Sequence, residues 1–174
     1  MNLHPIFVHF PIALLTIYAL LELARFKKLS AWAPLFYIKA TFVILGSLGT
    51  FAALLSGEAI EDQFEVGNLE ALVETHANWA VATSWIFGII SIAYLVAWIL
   101  RGEAFHRIIG HKLIAPFWRL LTQLSDILLK KNLVIVLAII GLLTITITGA
   151  LGGAIAYGPD IDPAAQFFYN LLVQ

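Results

Sequence analysis

Three histidines lie at the starts of long apolar runs, where ionisable side chains are otherwise rare. His4 and His9 belong to LHPIFVHFPIALL, residues 3–15, and His76 opens the run HANWAVATSW. Imidazole is a ligand for haem iron and for zinc, copper, iron and nickel ions. Ionisable residues within an apolar run indicate a functional site. Haem or metal ligation is therefore the chemistry that these histidines predict.

A haem held between two imidazoles needs one histidine from each of two facing helices. His4 and His9 are five residues apart, about 140° around a helix, so they do not share one face. His9 with His76 fits the requirement best, and His4 with His76 is second. The chain has no cysteine, which excludes c-type attachment, iron–sulfur clusters, thiolate metal sites and disulfides. A haem here would therefore be of the b type.

The last apolar run ends in GALGGAIAYG, residues 149–158. Its small residues let helices approach closely. Gly152 and Gly153 could instead leave room for a flat cofactor, with Tyr157 offering a hydrogen bond at its edge. Close packing against a partner or a second copy of the chain remains an alternative, which would make the protein a structural subunit.

A metal ion bound by imidazole and carboxylate groups is the other alternative. It would take its ligands from His4, His9, Glu58 and His76. Imidazole suits several divalent transition metals, so the sequence does not choose among them. No nucleophile lies in a recognisable arrangement with a base, and the catalytic residues, if any, are unknown. An electron carrier is expected rather than a stand-alone enzyme.

The composition places these groups in a membrane. The 174 residues are 61% hydrophobic and 12% charged, with a mean hydropathy of +0.92. A soluble domain usually carries about a quarter charged residues. A chain of this length is ordinarily one domain. We therefore expect residues 1–174 to form a single integral membrane domain.

Four apolar runs are long enough to cross a bilayer as helices. They cover about 5–24, 34–55, 76–100 and 133–156. The fold is therefore predicted to be all-α, a four-transmembrane-helix bundle. Apolar and basic residues alternate at helical spacing over about 112–131, which predicts an interfacial amphipathic helix between spans three and four.

The basic residues set the expected orientation. Nine of the ten lie in the loops after spans one and three, and the tenth, Lys39, lies one turn into span two on the same side. By the positive-inside rule this side faces the cytoplasm, and both termini lie outside. The three histidines, Glu58 and the glycine motif would then meet at the outer face. The acidic loop at 58–74 would make that face attractive to a basic partner.

Four motifs, HPIFVHFPIALL, LLSGEAIE, ETHANWA and GALGGAIAYG, resemble a widespread family of bacterial four-helix membrane proteins of unknown function. The family has an N-terminal HPxxVHFP signature, and the resemblance covers nearly the whole chain. It implies a multi-pass protein of the bacterial inner (cytoplasmic) membrane. Some relatives are fused to a Rieske domain, which implies a connection with electron transfer. Many relatives continue after the tyrosine with a glycine-and-valine turn, whereas this chain has GPDID. The motif positions carried over are His4, Pro5, His9, Pro11, Gly57, His76, Gly152, Gly153 and Tyr157.

Together these features predict a membrane-embedded b-type haem-binding protein that transfers electrons near the outer face. Its expected partners are the lipid bilayer, the quinone pool and an outer-face electron-transfer protein, and it could form a homo-oligomer. Nucleic acid is not expected as a partner. The alternatives are a metal-ion-binding transporter or enzyme and a structural membrane subunit.

Overall fold

The computed structural model describes residues 4–24, 26, 32–61, 69–102 and 114–174, and all of the regular structure in these ranges is helical. The all-α prediction is confirmed. The helices are α1 (His4–Leu23), α2 (Leu35–Glu61), α3 (Glu70–Leu100), α4 (Ala115–Leu128), α5 (Lys131–Tyr157) and α6 (Pro163–Leu172), with a 3₁₀ turn at Pro159–Ile161 before α6.

Three of the helices are long and apolar enough to cross a membrane. These candidate spans are Leu35–Ala59, Glu70–Leu100 and Lys131–Tyr157, and α1 adds a shorter apolar stretch, Phe7–Leu23. Helices α2 and α3 extend beyond the apolar runs that predict them, because backbone hydrogen bonding continues through the polar residues at their ends. The structure therefore agrees with an apolar helical bundle of membrane dimensions.

The four long helices form a closed ring. Helix α1 packs mainly on α2 and α5, and α3 packs mainly on the same two helices. Helices α1 and α3 therefore lie diagonally opposite each other across the bundle. Helix α4 packs on α3, where the Ser125 hydroxyl donates to the Ala93 carbonyl at 2.8 Å. Within the predicted range 112–131 the structure has a helix over Ala115–Leu128, and residues 112 and 113 lie outside the described part of the chain.

Two glycines allow the helices to approach closely within the ring. A Cβ atom at Gly46 would lie 2.6 Å from Cδ2 of Leu15, and one at Gly141 would lie 2.7 Å from Cζ of Phe87. Both Leu15 and Phe87 are fully buried. Small residues at these two positions of α2 and α5 are therefore required by the packing of α1 and α3.

Two pairs of neighbouring helices, α1–α2 and α3–α5, repeat one packing pattern. We call each pair a hairpin, although α4 lies in the connection of the second pair. In each, the first helix carries a histidine and, eleven residues later, a large apolar side chain that fills the space at a glycine. The second helix carries that glycine and, eleven residues later, another one. Corresponding positions of the two hairpins therefore occupy equivalent places in the ring. The corresponding pairs are His4 and His76, Leu15 and Phe87, Gly46 and Gly141, and Gly57 and Gly152.

Candidate functional site

His4 is the first residue of α1 and is held against the end of α2. Its Nδ1 lies 2.9 Å from the Ser56 hydroxyl oxygen. That hydroxyl donates its own hydrogen to the Ala53 carbonyl at 2.9 Å, so Nδ1–H of His4 is the donor to Ser56. The tautomer with a lone pair on Nε2 follows from this arrangement.

The His4 ring rests on a glycine. A Cβ atom at Gly57 would lie 3.2 Å from Cε1 of His4, closer than almost all real Cβ contacts. Ser56 and Gly57 are adjacent, so one turn of α2 supplies both the hydrogen-bond acceptor and the space for the ring. The imidazole is therefore fixed in position by a polar contact and by steric fit together.

His76 on α3 has the same two contacts with α5. Its Nδ1 lies 3.0 Å from the Thr148 carbonyl oxygen, and because a carbonyl can only accept, Nδ1–H is the donor. A Cβ atom at Gly152 would lie 3.1 Å from Cε1 of His76. The Thr148 and Thr83 hydroxyls are 3.2 Å apart, which adds a polar link between the same two helices. His76 therefore also presents its Nε2 lone pair.

We call these two imidazoles the histidine pair. Their helices lie diagonally opposite in the ring, and both residues lie near the starts of those helices, at the same end of the bundle. Both residues are partly buried. We call the end of the bundle that contains them, at the starts of α1 and α3, the histidine end. We call the opposite end, which contains Lys39, the basic end.

The family comparison covers all four helices of the ring. A family model described as a predicted membrane protein, DUF2231, matches residues 1–162. The chain belongs to this family. Its function is unknown, and the match ends immediately before α6 of this DUF2231 chain. Comparisons with curated proteins and with solved structures gave no match. Membership and the apolar helices together identify a membrane protein.

Other residues that the sequence singles out lie differently in the DUF2231 chain. His9 and Glu58 are exposed on α1 and α2, and the Tyr157 side chain is 77% exposed at the end of α5. A Cβ atom at Gly153 would meet nothing within 4 Å. The structure therefore brings His4 against Gly57 and His76 against Gly152, while residues 62–68 of the acidic loop lie outside the described ranges.

The donor set of the histidine pair consists of two imidazoles from two helices. Within the described ranges, no three or more histidine, cysteine, aspartate or glutamate side chains are grouped closely enough to hold a metal. Zinc sites ordinarily use at least three protein ligands, whereas two imidazoles complete the axial ligation of a b-type haem. Gly57 and Gly152 support each ring at the position that a side chain would otherwise fill.

Nothing in the sequence distinguishes the two groups that orient the rings, Ser56 and Thr148, from other polar residues of the helices. Serine and threonine in helices usually bond to their own backbone, so their residue type does not distinguish a positioning role. The one feature of the sequence that points to them is their closeness to the two glycines, since Ser56 precedes Gly57 and Thr148 lies one turn before Gly152.

Proposed function

We propose that this protein is a b-type haem-binding electron-transfer protein, with His4 and His76 as the axial ligands. The observation that carries the proposal is the histidine pair, in which two imidazoles from opposite helices are each fixed by an Nδ1 hydrogen bond and a glycine contact. Ligand histidines are commonly oriented in this way through their second ring nitrogen.

In this proposal the four ring helices α1, α2, α3 and α5 all span the cytoplasmic membrane. Nine of the ten basic residues come, in sequence, between the first and second or between the third and fourth predicted spans, so the positive-inside rule directs the histidine end outward. The haem would then lie near the outer face and would exchange electrons with the quinone pool and with an outer protein. Haem supplies one-electron redox chemistry, and the chain holds the imidazoles in place and surrounds them with apolar helices.

The fixed tautomer supports the proposal. Iron takes an imidazole through an unprotonated nitrogen, and the acceptors on Ser56 and Thr148 place the proton of each ring on Nδ1. No rotation of either ring is needed to offer Nε2. Two separate hydrogen bonds in the two hairpins therefore prepare the same nitrogen for ligation.

The test is an absorption spectrum of the full chain, expressed with haem available and purified in detergent, before and after reduction with dithionite. We expect a Soret band and a sharp α band in the reduced protein. His76→Ala and His4→Ala should each lose this spectrum. His9→Ala is the matched control, because it removes an exposed histidine from the same end, and it should keep the spectrum.

Three results would count against the proposal. A colourless wild-type preparation refutes haem binding, and stoichiometric zinc, copper, iron or nickel in that preparation would support the metal-ion alternative instead. A full low-spin spectrum in His76→Ala refutes the ligand assignment. If His9→Ala loses as much of the haem spectrum as His4→Ala does, the assignment of His4 as the specific ligand is refuted.

A further inference from the structure

A buried charged cluster lies at the basic end of the bundle, far from the histidine pair. Glu22, in the last turn of α1, is only 2% exposed. Its Oε2 accepts a hydrogen bond from the Lys39 ammonium group of α2 at 3.0 Å, and its Oε1 accepts one from the Tyr94 hydroxyl of α3. Three helices of the ring therefore meet at one carboxylate.

The cluster occupies the second level of the internal repeat. Glu22 follows His4 by eighteen residues, and Tyr94 follows His76 by eighteen residues. The repeat that brings the histidines together at one end therefore brings Glu22 and Tyr94 together at the other. Lys39 breaks the symmetry, because the corresponding position of α5 is the buried, apolar Val134.

Packing alone does not account for a charge at this position. A buried ion pair contributes little net stability compared with apolar side chains of similar volume. Ionisable groups inside membrane helices are costly and usually functional. The second hairpin packs with Tyr94 and Val134 at the positions equivalent to Glu22 and Lys39, so the fold tolerates residues without charge there.

The Tyr18 hydroxyl supplies a second, independent observation. Tyr18 is fully buried, and its hydroxyl lies beside Glu22 and Tyr94. Within the described part of the chain, however, it makes no hydrogen bond of ordinary geometry. Both carboxylate oxygens already accept from Lys39 and Tyr94. A protonated Glu22 would have an O–H donor, and the Tyr18 oxygen is a ready acceptor for it.

Within the described ranges, the other charged side chains at this end of the bundle are exposed. On α3, Arg101 is exposed, lies 3.6 Å over the Phe36 ring and donates to a backbone carbonyl of its own helix. Lys130 and Lys131 at the start of α5 are exposed, as is Asp126 of α4. Among the residues that the structure describes, Lys39 is therefore the cation whose contact with Glu22 inside the bundle carries the argument.

An apolar layer separates the cluster from the histidine pair. Leu15 lies seven residues before Glu22 on α1, and Phe87 lies seven residues before Tyr94 on α3. Each fills the space at a glycine of the neighbouring helix. Glu22 lies in the last turn of α1, so the aqueous phase at the basic end is the nearer one.

We propose that Glu22 is a proton-binding site that exchanges with the aqueous phase at the basic end. A proton adds to the carboxylate, the new O–H donates to the Tyr18 oxygen, and the Lys39 ion pair opens. The Lys39 ammonium group then extends to the nearby surface, as long lysine side chains do at helix ends. This site is independent of haem binding at the histidine pair.

Infrared difference spectroscopy of the full chain in lipid nanodiscs tests the proposal. Between alkaline and acidic buffer, the wild type should gain a narrow carbonyl band of a buried carboxylic acid, and Glu22→Gln should lack it. The matched control is Glu58→Gln, which removes an exposed carboxylate and should keep the narrow band. Tyr18→Phe should shift the band to higher frequency, because the acid loses its hydrogen-bond acceptor.

The Tyr18→Phe variant keeps the ion pair, so it remains informative if Glu22→Gln does not fold. Absence of a narrow acid band in the wild type at every pH would overturn the proposal. A band of equal intensity in well-folded Glu22→Gln would do the same. An unshifted band in Tyr18→Phe would overturn the assignment of Tyr18 as acceptor and, with it, the protonated arrangement described above.

Discussion

Adjacent glycines near the end of α5 provide a direct test of the histidine pair. Gly152 faces His76, where an added Cβ atom would lie 3.1 Å from Cε1, whereas the same atom at Gly153 would meet nothing within 4 Å. Gly152→Ala and Gly153→Ala therefore make the same chemical change one residue apart, with contact at one position and open space at the other.

The magnitude follows from two opposing terms. Alanine is favoured over glycine within a helix by about 1 kcal/mol, and this term is common to both variants. Overpacking a well-filled site costs about 1–3 kcal/mol, and this term applies only to Gly152→Ala. The two variants should therefore differ in the free energy of unfolding by about 1–3 kcal/mol, with Gly153→Ala the more stable.

The same substitution should disturb ligand binding. His76 must move by a few tenths of an ångström to admit the new methyl group, while its Nδ1 is held at 3.0 Å from the Thr148 carbonyl. We expect Gly152→Ala to retain less haem than the wild type after purification, and Gly153→Ala to retain as much as the wild type.

Unfolding in mixed detergent micelles, followed by circular dichroism, measures the stability difference, and the reduced spectrum measures haem content. Equal stability of the two variants would refute the inference that His76 rests on Gly152. If the two variants differ in stability but both retain as much haem as the wild type, the packing contact stands and its part in ligand binding is refuted.

Two further predictions concern the basic end and the C-terminal helix. Lys39→Met leaves the Glu22 carboxylate without its ammonium partner and should lower the free energy of unfolding by about 3–5 kcal/mol. The double variant Glu22→Gln/Lys39→Met should lose less stability than Lys39→Met alone. If the stability losses of the two single variants simply add in the double variant, the pairing is contradicted. Asp162 accepts hydrogen bonds from two backbone N–H groups at the start of α6, at 2.8 and 2.9 Å, so Asp162→Ala should destabilise that helix by about 1 kcal/mol and speed its amide hydrogen exchange. The control Asp160→Ala removes a carboxylate whose described bond goes only to the exposed Gln166 side chain, and unchanged exchange in Asp162→Ala would show that the cap does not stabilise α6.

The sequence by itself determined the class of protein and most of its helices. A chain that is 61% hydrophobic with few charges has to place its surface in an apolar medium. Runs of about 20 apolar residues in such a medium have to be helical, because backbone groups find no other hydrogen-bond partners there. The order of these runs along the chain also places His4 and His76 at the same end of the bundle. Helix α6 was not predicted, since its apolar face is short and follows a proline-containing turn.

Only the tertiary structure decided which side chains meet. The long helices are apolar on nearly every side, so the hydrophobic pattern does not tell which face points inward. For this reason the sequence favoured His9 as the counterpart of His76, whereas in the structure His4 packs against Gly57 and Ser56 and His9 is exposed, so our proposal takes His4 as the ligand. Glu22 escaped notice for the same reason, because its burial depends on the neighbouring helices that surround it and not on the residues beside it in the chain.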